Sequence, residues 1–145
     1  MALAIFDPKL VIVTYLGSPV LQFADGSMIE IAPIEDTTTM MIGNGGDAVI
    51  SISPNRGMTI KLTLLASSPS NDDFSAALAL LRTGLGIGPF SLEDLTGRTL
   101  VTAPNTWISR VPDIKYGKES TPMEWNLMTN DADVFIGGSN AIAAA

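Results

Sequence analysis

The sequence predicts a mainly β fold of the α+β kind, an antiparallel β-sandwich or small barrel with one flanking α-helix. Three features predict it: short strand-like runs divided by turn residues, strict two-residue alternation in the clearest of them, and a single stretch with helical spacing. In chain order, strands are expected over residues 10–16, 27–32, 37–42, 48–53, 58–65, 90–95, 99–103, 106–111 and 123–128. In the fifth of these, Met58, Ile60, Leu62 and Leu64 face one way while Thr59, Lys61 and Thr63 face the other, as in a half-buried strand. Met123, Trp125 and Leu127 alternate with Glu124 and Asn126 in the same manner, and Met28-Ile29-Glu30-Ile31 does so less cleanly. Turns are marked at Asp25-Gly26, Asn44-Gly45-Gly46-Asp47 and Thr96-Gly97, where Gly or Asn is expected to supply the positive φ of a tight hairpin. Successive strands should therefore run antiparallel.

The helical stretch follows Pro69-Ser70-Asn71-Asp72-Asp73, where Phe74, Ala77, Leu78 and Leu81 recur at the spacing of one helix face. Ser70 and Asp73 fit a capping signature, both aspartates suit the positive end of the helix dipole, and Gly84 and Gly86 should stop the helix. The chain reads as a single domain over 1–145, with a flexible N-terminal arm over residues 1–8 and an Ala-rich tail over 138–145 whose small side chains order only against a neighbour.

Composition narrows the function. With no cysteine and no histidine, the chain has no disulfide framework, no thiolate zinc site and no Ser-His-Asp or Cys-His centre. A net charge of −7 opposes stable binding of nucleic acid, which needs basic surface to displace counterions from phosphates. No apolar run approaches the roughly 20 residues that cross a bilayer, and Met1-Ala-Leu-Ala-Ile-Phe-Asp7 lacks the basic start of a signal peptide, so synthesis in a cytoplasm without membrane contact is expected. Yet 46% of the residues are hydrophobic and only 16% charged, with a mean hydropathy of +0.32. So much apolar surface is one reason to expect self-association.

No arrangement of residues carries chemistry. Asp72 and Asp73 are explained by the helix dipole, and adjacent helix residues point in different directions. Asn44-Gly45-Gly46-Asp47 and Gly84-Leu85-Gly86-Ile87-Gly88 lack the strand-loop-helix setting and the lysine of a phosphate loop. Glu35-Asp36 and Glu93-Asp94 assemble no further oxygen ligands for a cation. No catalytic residue, cofactor or metal is expected. The least ordinary feature is Thr37-Thr38-Thr39 followed by Met40-Met41-Ile42, which in a strand gives a polar and an apolar face without charge. Such a long uncharged edge is an aggregation hazard in a monomer and suits a strand that meets another subunit.

Several segments together carry a family resemblance. Ile34-Glu35-Asp36-Thr37-Thr38-Thr39-Met40-Met41-Ile42-Gly43 runs through Asn44-Gly45-Gly46-Asp47 to Ala48-Val49-Ile50-Ser51; then come Gly57-Met58-Thr59-Ile60-Lys61-Leu62-Thr63-Leu64-Leu65 and Ser68-Pro69-Ser70-Asn71. With Ile114-Lys115-Tyr116-Gly117-Lys118-Glu119-Ser120-Thr121-Pro122-Met123-Glu124-Trp125, this pattern over residues 9–137 resembles the tail tube proteins of contractile-tailed bacteriophages. The resemblance implies hexameric rings whose strands continue across subunits, stacked into a hollow tube for DNA ejection in the virion tail. It implies tail sheath, tape measure, and baseplate or tail terminator proteins as partners, with double-stranded DNA only in passage. Six copies at −7 would give −42 per ring, which repels DNA. On that basis Thr37, Thr39, Met41 and Ser51 are candidates for ring contacts or the lumen, and Glu30, Asp36 and Asp47 for lining or stacking positions. Replacing Asp36 and Asp47 by lysine should then hinder DNA passage or stacking; unchanged infectivity would refute the placement. The alternatives are a type VI secretion or phage-tail-like bacteriocin tube, which only genomic context separates, a carbohydrate-binding β-sandwich, and a lysine- or carboxylate-dependent enzyme. The glycan binder should show exposed aromatics, whereas 6% of residues are aromatic, and no converging groups support the enzyme.

Overall fold

The computed structural model describes residues 4–25, 28–138 and 141–142, except for the side chains of 4, 5, 141 and 142. The fold is mainly antiparallel β with one helix, a β-sandwich with a flanking α-helix, as the sequence predicted. The expected turn at Asp25-Gly26, the start of the strand expected from residue 27, and most of the Ala-rich tail lie outside the described residues.

Strand β1 (Ala4–Ile5) is followed by a 3-10 turn over Pro8–Leu10, then β2 (Val11–Tyr15) and the two-residue β3 (Ser18–Pro19). Next come β4 (Ile29–Pro33), β5 (Thr38–Ile42), β6 (Ala48–Ile52), β7 (Met58–Leu64), α1 (Ser70–Leu81), β8 (Gly88–Asp94), β9 (Leu100–Arg110), β10 (Met123–Thr129), β11 (Asp133–Phe135) and β12 (Ala141–Ile142). The main sheet has the order β3-β2-β8-β9-β10-β7-β4, every neighbouring pair antiparallel. The N-terminal arm and the tail meet where β1 pairs with β12.

Strand β9 organises the molecule. Residues 99–103 and 106–111, expected as two strands, form one strand through Pro104 and Asn105. Its first half pairs with β8 on one edge and with β11 on the other, and its second half pairs with β10. The Pro104 nitrogen carries no proton for a ladder bond, and the β8–β9 register shifts across it, between Ala103 and Thr106. The inward side chains of the sheet's two halves meet in one core. Val13, Tyr15, Phe90, Leu92, Val101 and Ala103 pack with Ile60, Leu62, Leu64, Ile108, Trp125 and Leu127 in one buried cluster. The alternation predicted in β7 and β10 is realised, with Ile60, Leu62, Leu64, Trp125 and Leu127 all buried.

Helix α1 closes the sandwich with Phe74, whose ring meets Tyr15 and Trp125 edge-on at centroid distances of 5.6 and 5.3 Å. Asn71 Oδ1 accepts from Trp125 Nε1 at 2.9 Å, latching the first turn to β10. The predicted cap is not formed. Ser70 is buried, its hydroxyl accepts from Leu21 N at 2.9 Å, and residue 69, a proline without a capping side chain, stands at the N-cap. Ser68 Oγ takes over in part by accepting from Ser70 N at 3.2 Å. Gly84 and Gly86, both at positive φ, end the helix as expected, and a Cβ at Gly86 would press on the Ala77 carbonyl.

Positive φ is found at one of the turns the sequence marked and not at another. Gly46 has it, whereas Asn44 and Gly97 do not, and the turn after β8 is held instead by Asp94 Oδ1 accepting from Thr96 N and Oγ1. The two-residue hairpin between β2 and β3 places Leu16 and Gly17 at φ 53° and 82°, with Leu16 N donating to Pro89 O at 2.9 Å. Burial also acts on Tyr15: its phenol is pushed up to about 12 by desolvation and donates to the carbonyls of Gly86 and Thr106 at 3.4 Å each.

Candidate assembly interface

Strands β5 and β6 pair only with each other among the described residues, forming a two-stranded ribbon separate from the sandwich sheet. A two-stranded ribbon is marginal in water by itself, so the local chemistry of its tip and stem matters. At the tip, Gly46 N donates to Gly43 O at 3.1 Å and Gly43 N to Asp47 O at 2.7 Å, with Gly46 at φ 89°. This is a three-residue hairpin loop, in which only glycine takes the left-handed position without strain.

The stem is tied to the sandwich. Ser53 N donates to Thr37 O at 2.8 Å, Ile34 N donates to Gly57 O at 3.1 Å, and Asn55 Oδ1 accepts from Gly57 N at 2.9 Å. Arg56 Nε lies 3.1 Å from Asp131 Oδ1, and its terminal nitrogen also pairs with Asp133. The backbone of Arg56 bridges to Asp131, and its carbonyl accepts from Ala132 N at 3.2 Å. Each exposed ion pair contributes little stability, but together with the backbone bonds they hold the ribbon's direction.

Every residue of both strands is exposed. Cross-strand register sorts the side chains onto two faces. Thr38, Met40 and Ile42 oppose Ile52, Ile50 and Ala48 on one face, while Thr39 and Met41 oppose Ser51 and Val49 on the other. Met40, Met41, Ile42, Val49, Ile50 and Ile52 remain 61–78% exposed, four of them on one face and two on the other, a density of exposed apolar side chains that soluble monomers rarely carry. Between residues 37 and 53 the sole charge is Asp47.

Beside the ribbon's base opens an apolar groove of about 1470 Å³. Phe23, Ile29, Ile31, Met58, Phe135 and Ile136 line it together with Ile52 and Thr37 of the ribbon, and its charged groups are Asp25, Glu35, Arg56 and Asp133. The groove runs along β4, whose free edge ends the main sheet. The edge at β3 is only two residues long and carries Pro19, both devices that blunt further pairing.

The ribbon gathers most of the residues singled out from the sequence. Thr39 and Ser51 are direct cross-strand partners, Met41 shares their face, Thr37 closes the stem and Asp47 sits at the tip. Asp36 is exposed at the stem's entry. Glu30 lies apart on β4, 3.9 Å from Lys61, which also pairs with Glu124 at 3.3 Å. Among the described residues, neither Asp36 nor Asp47 has an ion-pair partner, so their charge is uncompensated where that of Glu30 is shared. The more apolar face, with Met40, Ile42, Ile50 and Ile52, was not singled out. Applying the two-residue alternation to both strands about the Gly43–Asp47 turn would have found it. No group of three or more metal-binding side chains occurs among the described residues, and none of the candidate carboxylates is buried.

No family model matches the sequence, and no curated protein matches it. Solved structures do. A chain of the anti-feeding prophage cap, the AFP tube-terminating cap, superposes with a TM-score of 0.65 at 10% identity, covering 93% of both chains. A chain of the PVC extracellular contractile injection system, from the sheath/tube terminator in the extended state, gives 0.59 at 12% identity over 90% of this chain and 96% of its own. One from the PVC sheath-tube complex in the extended state gives 0.58 at 11% identity over 90% of each. At these identities the likeness establishes a shared fold over nearly the whole chain.

Proposed function

We propose that the chain is a structural subunit of a contractile tail or related injection apparatus, assembling through its β5–β6 ribbon into rings that stack as the inner tube. The observation that carries this reading is the ribbon itself. It is ordered at tip and stem, uncharged but for Asp47, and apolar on a surface that its own sandwich leaves uncovered. The fold shared with chains of tube, sheath and cap assemblies supports it. So does the net charge of −7, since an acidic conduit repels DNA and lets it slide. On this reading Asp36 and Asp47 are the better lining candidates, and sheath, tape measure and baseplate proteins are the expected partners of the tube.

The test is negative-stain microscopy with sedimentation velocity on the purified chain across a concentration series. Annular particles or hollow tubes are expected, and a monomer at every concentration overturns the reading. A tube terminator is the second reading, because two of the similar structures are terminator assemblies. The same images discriminate: a tube subunit elongates indefinitely, whereas a terminator stops at single rings.

A further inference from the structure

We propose that Asn44, at the tip of the β5–β6 ribbon, is a modification site: it deamidates spontaneously, and the uncovered ribbon thereby gains a second negative charge. This is a property of the single chain and holds whether or not copies assemble. Three observations select Asn44. The first is its neighbour. The backbone nitrogen that follows an asparagine can attack the side-chain amide, and a following glycine has no Cβ to obstruct that approach. Asn44-Gly45 is the one Asn-Gly pair in the sequence; every other asparagine precedes a residue that carries a Cβ.

The second is a free nucleophile. The tip bonds engage Gly43 N and Gly46 N, and among the described residues Gly45 N donates to no backbone carbonyl. Residues 43–47 are all exposed, so water reaches the attacking nitrogen and the amide. Elsewhere the amides are held. Asn55 Oδ1 accepts from Gly57 N at 2.9 Å, and Asn71 Nδ2 donates to Leu65 O at 3.1 Å while its Oδ1 accepts from Trp125 Nε1 at 2.9 Å. The third is room. Nothing beyond the adjoining residues lies within 4 Å of where a Cβ would stand on Gly45 or Gly46, so the loop can bring nitrogen and amide together.

In the reaction Gly45 N gives its proton to water and bonds to the side-chain carbonyl carbon of Asn44. The bond from that carbon to the amide nitrogen breaks, and the nitrogen takes up a proton and leaves as ammonia. Water then opens the cyclic imide at either carbonyl, giving aspartate or isoaspartate, with no oxidant or reductant involved. Between residues 37 and 53 the charge of Asp47 is joined by a second, and the net charge falls from −7 by one to −8. The isoaspartate form also routes the main chain through the side chain of residue 44. That lengthens a loop whose bonds, Gly46 N to Gly43 O and Gly43 N to Asp47 O, close the pairing of β5 with β6.

The test is to hold the purified chain at neutral pH and follow it by isoelectric focusing and peptide mass spectrometry. A species more acidic by one charge should accumulate and focus with the Asn44→Asp variant. Fragment masses should place the change at Asn44 before any at Asn55 or Asn71. Gly45→Ala should lose the acidic species over the same interval. Alanine fits there, because Gly45 is not at positive φ and the space is open. Should that variant fail to fold, the order of conversion among Asn44, Asn55 and Asn71 decides. An intact Asn44 over an interval in which a free peptide of residues 40–48 converts fully overturns the proposal, as does earlier conversion at Asn55 or Asn71.

Discussion

Replacing Ile50 and Ile52 together by serine should weaken assembly strongly while leaving the isolated fold almost untouched. Fully burying an isoleucine side chain is worth about 1.5–3 kcal/mol. Ile50 is 68% and Ile52 78% exposed, so most of that gain is still to be realised when a neighbour covers them. Scaling by the exposed share gives about 1–2 kcal/mol each, and about 2–4 kcal/mol for the pair at each contact. At 1.4 kcal/mol per tenfold, each contact weakens by about 30- to 700-fold. The folded monomer loses almost no burial, so its unfolding free energy should change by no more than about 0.5 kcal/mol. Sedimentation velocity across a concentration series reads the first quantity, and urea unfolding at a concentration below assembly reads the second. Assembly of the variant at the wild-type concentration would refute the view that this face is buried between copies. A large loss of monomer stability would show instead that the ribbon packs on its own chain.

Three further outcomes follow from the core. Phe74→Ala removes the ring that joins Tyr15 to Trp125 and should cost about 3–5 kcal/mol in urea unfolding; a loss under 1 kcal/mol would mean the helix does not close the sandwich. Thr106 is fully buried and its hydroxyl has no hydrogen-bond partner among the described residues, so Thr106→Val should be neutral or stabilising by about 1–3 kcal/mol, and destabilisation beyond 1 kcal/mol would refute this. Tyr15, at about 12 in the folded chain against 10.0 unfolded, keeps its proton longer when folded. The native chain therefore keeps its full stability below pH 10, and loses up to about 2–3 kcal/mol as the pH rises to about 12; Tyr15→Phe should flatten that alkaline loss, seen in unfolding curves.

What could be read from the sequence was what repeats. Alternation in β7 and β10 gave the core directly, because a sheet face that packs on another must be apolar at every second residue. The ends of elements were less legible. Residues 99–103 and 106–111 looked like two strands, yet β9 runs on through Pro104, because the edge exchanged between β11 and β10 has no partner there to need its ladder bond. Ser70 matched a capping pattern, but a buried link to the backbone of Leu21 claimed its hydroxyl. Leu16 gave no turn signal at all; its left-handed conformation follows from the two-residue link between β2 and β3 and from the bond to Pro89. For the interface, the residues were readable and the pairing was not. Thr39, Met41 and Ser51 were singled out from the resemblance, while the opposite face follows only when the two-residue alternation is carried through both strands about the Gly43–Asp47 turn.

An exposed apolar ribbon sets two demands against each other: it must remain available to a neighbour and must not promote disordered aggregation. The two terminal strands of the main sheet are protected, β3 by its brevity and Pro19, β4 by Glu30 and by Pro33 at its end. Among the described residues both edges of the ribbon are left unpaired, on a stem fixed by Arg56 to Asp131 and Asp133. Fixing that stem in advance lowers the conformational entropy lost on docking, so a given buried area yields more affinity. It also restricts the directions from which a second molecule can be met, which is what separates a closed ring from a tangle. On the proposed assembly reading, the ion pairs at Arg56 matter less for the stability of the fold than for the angle at which one copy would present its ribbon to the next.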